Sequence, residues 1–225
     1  MDPHLPFRDR FDAGQQLADR LTEYANRQDL VVLGLPRGGV PVAGQVAARL
    51  GAPLDVLLVR KLGVPGHEEL AMGAVAELDV EVLNDDVIRE LSIPPESVDR
   101  AAVRERTELV RRASIYRGDR PALDIRDRTA LIVDDGLATG ASMQAAVRAV
   151  RERRPARVIV AVPVGSREAF DDLGRLADAV VWVAVPEPFV AVGRWYDDFS
   201  QTTDYEVTRL LNVFATGGGS GRGNV

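Results

Sequence analysis

The stretch that most constrains this chain is Ala130-Leu131-Ile132-Val133-Asp134-Asp135-Gly136-Leu137-Ala138-Thr139-Gly140-Ala141-Ser142. An apolar run stops on two adjacent carboxylates, crosses a loop of small residues and enters a helical pattern. Few folds accommodate that joint. A strand feeding a helix in this way belongs to a mostly parallel α/β sheet, whose ligands gather at the carboxyl ends of the strands. Other β-branched runs bounded by turn residues fit the same plan: Leu30 to Leu35, Leu54 to Arg60, Arg157 to Val162 and Ala179 to Ala184. Helical spacing lies between most of them. Pro41 to Leu50 is alanine-rich and stops at Gly51. Ala141 to Arg153 is apolar at Met143, Ala146, Val147 and Val150, and Ser166 to Leu176 is shorter.

The middle of the chain breaks this alternation. Glu68 to Leu83 reads as a hairpin-like excursion with Met72, Ala74 and Ala76 on one face, and Pro94 to Arg117 as a long charged helix. Further helices are expected over Asp12 to Tyr24 and Thr203 to Phe214. With 225 residues and 46% hydrophobic content, one domain over 1–216 is expected, followed by a disordered glycine-rich tail over 217–225.

Composition removes several functions. The chain has no cysteine, which excludes disulfides, thiolate metal sites and a cysteine nucleophile, and two histidines, His4 and His67, are too few for a histidine-rich zinc site. A net charge of -6 argues against a nucleic-acid partner. No apolar run reaches the roughly 18 residues of a membrane span. Met1-Asp2-Pro3-His4 is unlike a signal peptide, so a cytoplasmic protein without membrane contact is expected. Among 28 basic residues Lys61 is the only lysine, which marks it for particular chemistry.

In the 130–142 stretch, the N–H groups of Ala138 to Ser142 would lie at a helix N-terminus, which favours a phosphate, and Thr139 and Ser142 add hydroxyl donors. The segment is not a P-loop, because no Gly-Lys-Ser/Thr follows the glycines. Two aspartates beside an anion site make sense if the ligand carries a phosphate at one end and hydroxyls or a metal in its middle. Carboxylates accept hydrogen bonds from a ribose, and they favour the positive charge of a ribose ring losing its C1 substituent. Gly34-Leu35-Pro36-Arg37-Gly38-Gly39-Val40-Pro41 offers a guanidinium and exposed N–H groups to a second anion. Arg60 and Lys61 precede Leu62-Gly63-Val64-Pro65-Gly66-His67-Glu68-Glu69, read as a mobile loop that closes over a site. In a chain with 5% aromatic residues, Phe189, Trp195, Tyr196 and Phe199 cluster beside Asp197 and Asp198, and suit a stacked heterocycle.

The acid pair with its Thr-Gly-Ala-Ser loop resembles the phosphoribosyl-diphosphate (PRPP) motif of the type I phosphoribosyltransferases, and the resemblance runs from about Leu30 to Leu211. It is closest to members of unassigned base specificity that share the Leu-Pro-Arg-Gly-Gly-Val-Pro and Gly-Arg-Trp-Tyr-Asp-Asp-Phe strings. The resemblance implies a mostly parallel central sheet flanked by helices, with a flexible loop and a small hood built from about 1–29 and 186–214. It implies that Asp134 and Asp135 hold the ribose hydroxyls and stand near Mg²⁺, largely indirectly. Ala138, Thr139, Gly140, Ala141 and Ser142 would cradle the 5′-phosphate. Arg37, Gly38, Gly39, Arg60 and Lys61 would bind pyrophosphate, with Asp134, Asp135, Lys61 and Arg37 catalytic. Phe189, Trp195, Tyr196 and Asp197 would face the base.

The implied activity is Mg²⁺-dependent phosphoribosyl transfer between PRPP and a nitrogenous, purine-like base. The alternative is a regulatory module that binds PRPP or a nucleotide without turnover. Ala138 stands where hypoxanthine and guanine enzymes carry an aspartate, which speaks against a 6-oxopurine. A homodimer is compatible with the family, and the 94–117 helix is a candidate surface for it.

Overall fold

The computed structural model describes residues 5–217. The central sheet has five parallel strands in the order β2-β1-β6-β7-β8, where β1 is Leu30–Gly34, β2 Leu54–Val56, β6 Thr129–Val133, β7 Arg157–Val164 and β8 Ala179–Ala184. Alternation of side chains across the pleat divides the core into two layers. Leu30, Val32, Leu131, Val133, Ile159 and Ala161 enter one; Val31, Leu33, Ala130, Ile132, Val158 and Val160 enter the other. Both faces are covered, which is why these strands are almost uninterrupted hydrophobic runs. Helices α1 (Arg10–Asp19) and α2 (Gly39–Leu50) close the first layer through Leu17 and Val46, and α5 (Ala141–Glu152) and α6 (Arg167–Leu173) close the second through Met143, Val147 and Phe170.

A second sheet of three antiparallel strands, β3 (Val59–Val64), β4 (His67–Ala76) and β5 (Val80–Leu83), leaves the end of β2. The expected single strand Leu54 to Arg60 is therefore two, broken at Leu57–Leu58. The expected mobile loop after Lys61 is a hairpin. Leu62, Val64 and Met72 are buried, and the proline and glycine read as loop formers are its turn, with Gly66 at φ +80°. The helix expected over 12–24 starts earlier, because Asp9 caps the N–H of Asp12, and it gives way after Asp19 to a short 3₁₀ turn at Thr22–Tyr24. A short helix, α3 (Asp85–Glu90), capped by Asn84, was not anticipated.

Helix α4 (Pro95–Arg117) lies along β3 and ends on a buried ion cluster. Arg117 Nε donates to Asp55 Oδ1 at 2.7 Å, one terminal nitrogen donates to Glu77 and the other to the Val56 carbonyl at 2.6 Å. Arg117 and Asp55 are 7% and 6% exposed, so the cluster clamps α4 to the end of β2 and the β4–β5 turn. The C-terminal helix α7 (Asp204–Gly217) extends past the expected Phe214, and the tail beyond Gly217 lies outside the described residues.

Candidate functional site

Strand order reverses between β1 and β6: from β1 the chain moves out to β2, then returns to place β6 on the other side of β1. The crevice at the carboxyl ends of two such strands is where open α/β sheets bind ligands. Here the two loops bordering it are Leu35 to Gly39 after β1 and Asp134 to Gly140 after β6. Register pairs Gly34 with Val133, and the Leu35 N–H donates to the Val133 carbonyl at 2.9 Å, so the loops start level. They then touch. A Cβ built on Gly39 would lie 2.7 Å from the Val133 carbonyl oxygen and 2.8 Å from Asp134 Cα, and one on Gly38 would lie 2.0 Å from Asp135 Oδ2. Only glycine permits this approach. The Pro36–Arg37 peptide in this loop is cis.

Asp134 and Asp135 stand half-buried at the end of β6, and Asp134 Oδ1 accepts the Asp135 N–H at 2.8 Å. Burial raises the pKa of both carboxyls. Asp134 is pushed up further by the charge of Asp135, whereas Arg10 pulls Asp135 back down. The phosphate loop follows. Gly140 takes φ +71° at the N-cap of α5, and the Ala141 N–H makes only a long 3.5 Å bond to Thr139 Oγ1, so the N–H groups of this first turn are open to a ligand. Ser166, at the end of β7, donates to the Ala138 carbonyl at 2.9 Å and pins the loop from outside.

A cleft of about 390 Å³ opens on this constellation, lined by Pro36, Arg60, Lys61, Asp134 and Ser142 among others. Of the expected site residues, Arg60, Lys61, Asp134 and Ser142 thus share one space, Ala138 and Thr139 line another cavity, and Arg37, Gly38, Gly39, Asp135, Gly140 and Ala141 are not among the lining of this cleft. Lys61 has no ion-pair partner among the described residues. Its neighbour Arg60 is fixed from α4: the buried carboxylate of Glu105 accepts Arg60 Nε at 2.8 Å and Arg104 Nε at 2.9 Å. Burial alone would raise the pKa of Glu105, but the two guanidiniums bring it below the ordinary range. Arg104 and Arg112 of α4 also line the cleft. Sequence reasoning missed this wall, because an Arg/Glu-rich helix reads as a solvated surface. Arg37 lies 3.8 Å from Asp204 at the start of α7, and Asp204 in turn accepts the buried Tyr116 hydroxyl at 2.6 Å.

The expected base contacts are divided by the structure. Phe189 lines a second cavity of about 320 Å³ with Ala138, Thr139 and Ser166. Tyr196 does not present a face to a ligand: it is 6% exposed, its ring lies between Phe7 and Phe199, and its hydroxyl donates to the Asp135 carbonyl at 2.5 Å. It supports the acid pair from behind. Trp195 packs on the core beside it, and the Asp197 N–H closes a bridge to the Phe7 carbonyl at 2.8 Å, with the Asp197 side chain outward. The N-terminal and 186–200 segments are thereby joined. His67 begins β4 in an exposed position, and the side chains of Glu68 and Glu69 lie outside the described residues.

With two loops, an acid pair and a cationic wall meeting at a sheet's switch point, the fold and site define a phosphoribosyltransferase-type domain. The match is direct. The model of the phosphoribosyl transferase domain covers residues 7–176, and the chain belongs to that family. Among particular relatives, it is 48% identical over 206 residues to two Mycobacterium tuberculosis proteins, MT0597 and Rv0571c, each carrying the name "Putative phosphoribosyl transferase". That match takes in 92% of this chain but 46% of theirs, so the chain spans about half the length of these curated relatives. The crystal structure of TT1426 from Thermus thermophilus is similar with a TM-score of 0.84 at 47% identity, covering 92% of this chain and 98% of that one. No described helix is long and apolar enough to cross a membrane.

Proposed function

We propose that this chain transfers a phosphoribosyl group between PRPP and a nitrogenous base, with pyrophosphate as the other product. The observation that carries this reading is the single cleft lined by Pro36, Arg60, Lys61, Asp134 and Ser142, which come from three separate stretches of sequence and suit successive parts of one ligand. The N–H groups from Ala138 to Ser142 bind the 5′-phosphate at the start of α5. Asp134 and Asp135 accept the ribose hydroxyls and favour the positive charge that grows on the ring as the C1–O bond to pyrophosphate breaks and the C1–N bond forms. Lys61, Arg60, Arg37 and the N–H group of Gly38 neutralise the departing diphosphate, the Gly39 N–H being bonded to the Leu35 carbonyl at 3.0 Å. The β3–β4 hairpin beside the cleft keeps water from competing with the base. Phe189 and the cavity beside the phosphate loop receive the acceptor ring.

The donor set fits Mg²⁺ in one way. The described residues gather no cluster of three or more carboxylate or imidazole ligands. An adjacent aspartate pair suits an ion held chiefly by diphosphate oxygens and water. When bound, Mg²⁺ would supply charge neutralisation on the diphosphate, with Asp134 and Asp135 holding it through water.

Calorimetric titration of PRPP with Mg²⁺ into the wild type and an Asp134→Asn/Asp135→Asn variant tests the reading. Micromolar binding that the variant loses is expected, followed by pyrophosphate release when the matching base is added. Absence of binding by folded wild-type protein would overturn it.

A further inference from the structure

The two aspartates are not equivalent in their surroundings. Asp134 lines the cleft, whereas Asp135 Oδ2 accepts Arg10 Nε, from the first residue of α1, at 2.8 Å. This ion pair is nearly closed to solvent, with side chains 11% and 15% exposed. Arg10 is itself held in place: one terminal nitrogen donates to the Ser200 carbonyl at 2.7 Å, and the guanidinium lies 4.0 Å from the centre of the Phe199 ring. Gly38 completes the enclosure, since a Cβ there would lie 3.1 Å from Arg10 Nε as well as colliding with Asp135. Tyr196 holds the same aspartate by its carbonyl. Three stretches of chain thus converge on Asp135, whereas Asp134 is approached by the Gly39 backbone and makes no ion pair among the described residues.

Resting on the phosphoribosyl-transfer reading, we propose that Arg10 is a positioning residue for that reaction, fixing Asp135 beside Asp134 so that the acid pair meets the ribose in one arrangement. The physical need is clear. Two adjacent carboxylates out of water repel each other, and without a partner on one of them neither side chain has a fixed direction. The Arg10 guanidinium offsets that repulsion and fixes the direction of the Asp135 carboxylate from outside the cleft. Arg10 acts through Asp135, with no contact to the ligand. Phe199, which the sequence offers for stacking on a heterocycle, is then the platform under this cation.

The test is a double-mutant cycle on the affinity for Mg²⁺·PRPP, measured by calorimetry with the full chain, with folding checked by circular dichroism. Arg10→Met is expected to weaken binding about tenfold or more. Asp135→Asn should weaken it as well, and Arg10→Met should then add nothing in the Asp135→Asn background, because its target is gone. Arg10→Lys, which keeps the charge, should recover part of the loss. Unchanged affinity in Arg10→Met would overturn the proposal, and so would full additivity with Asp135→Asn, which would mean a direct or purely structural role. If Arg10→Met does not fold, the cycle built on Arg10→Lys is read by the same rule. Failure of the wild type to bind Mg²⁺·PRPP would instead overturn the functional reading beneath it, and the proposal with it.

Discussion

Replacing Gly39 and Gly44 separately by alanine puts the packing of the site against a simple rule. Both lie in α2, where alanine is a better helix former than glycine by about 1 kcal/mol, so helix propensity alone makes both substitutions stabilising. The structure separates them. At Gly44 the added methyl meets Leu210 Cδ2 at 3.8 Å and Phe214 Cε2 at 4.0 Å, which is ordinary contact. Gly44→Ala should therefore gain about 0.5–1 kcal/mol. At Gly39 the methyl meets the Val133 carbonyl oxygen at 2.7 Å and Asp134 Cα at 2.8 Å. These are backbone atoms of a strand paired on both sides, and the same carbonyl accepts the Leu35 N–H, so neither can retreat without breaking the ladder. Overpacking of this kind costs about 1–3 kcal/mol, which outweighs the propensity gain. Urea unfolding should give Gly39→Ala a lower midpoint and Gly44→Ala a higher one, with Mg²⁺·PRPP binding weakened only in the former. Equal stability and equal binding in the two variants would refute the close approach of the β1 loop to the acid pair.

Two further outcomes follow from buried groups away from the crevice. Arg117→Met removes the cation from Asp55 and Glu77 where Arg117 and Asp55 are almost fully enclosed, and should cost about 3–5 kcal/mol in urea unfolding; a loss under about 1 kcal/mol would mean that the cluster is not closed to water. Tyr116 is pushed up to about 12 by burial and by the carboxylate of Asp204. A folded pKa above the unfolded value of about 10 gives stability that is complete below pH 10 and lost as pH rises toward 12, roughly 2–3 kcal/mol in all. The stability advantage of the wild type over Tyr116→Phe should accordingly shrink across that window, and a constant difference would refute the assignment.

What was legible in the sequence follows from how local each signal is. The five strands of the main sheet announce themselves because burial on both faces demands β-branched runs, and the acid pair with its phosphate loop is contiguous, so residues 134–142 carry their own chemistry. The second sheet was only half visible: β4 and β5 alternate, but Leu54 to Arg60 is too uniformly apolar to show the break at Leu57–Leu58, and the Gly and Pro of the β3–β4 turn look like a mobile loop until the burial of Leu62 and Met72 is known. Tyr196 was legible as an aromatic near the site but not as a support, because aromatic content says nothing about which way a hydroxyl points. Arg10, Glu105 and Ser166 gave no usable signal, since each acts across a long sequence separation on a partner that only the fold supplies.

That difference bears on how the site is built. In the proposed reaction the contiguous stretches supply the groups that touch the ligand, and the scattered ones hold those groups in place. Arg10 holds Asp135 from α1 through an ion pair nearly closed to solvent, and Glu105 holds the partly exposed Arg60 from α4 through its own buried carboxylate. A buried carboxylate or guanidinium is costly to leave unpaired, so each pair holds its loop in one arrangement more firmly than an exposed contact would. In an arginine-rich chain such positions look like ordinary surface charge. Arg10 is withdrawn furthest from water among the arginines discussed for the site, its side chain 11% exposed against 35% for Arg37 and 38% for Arg60.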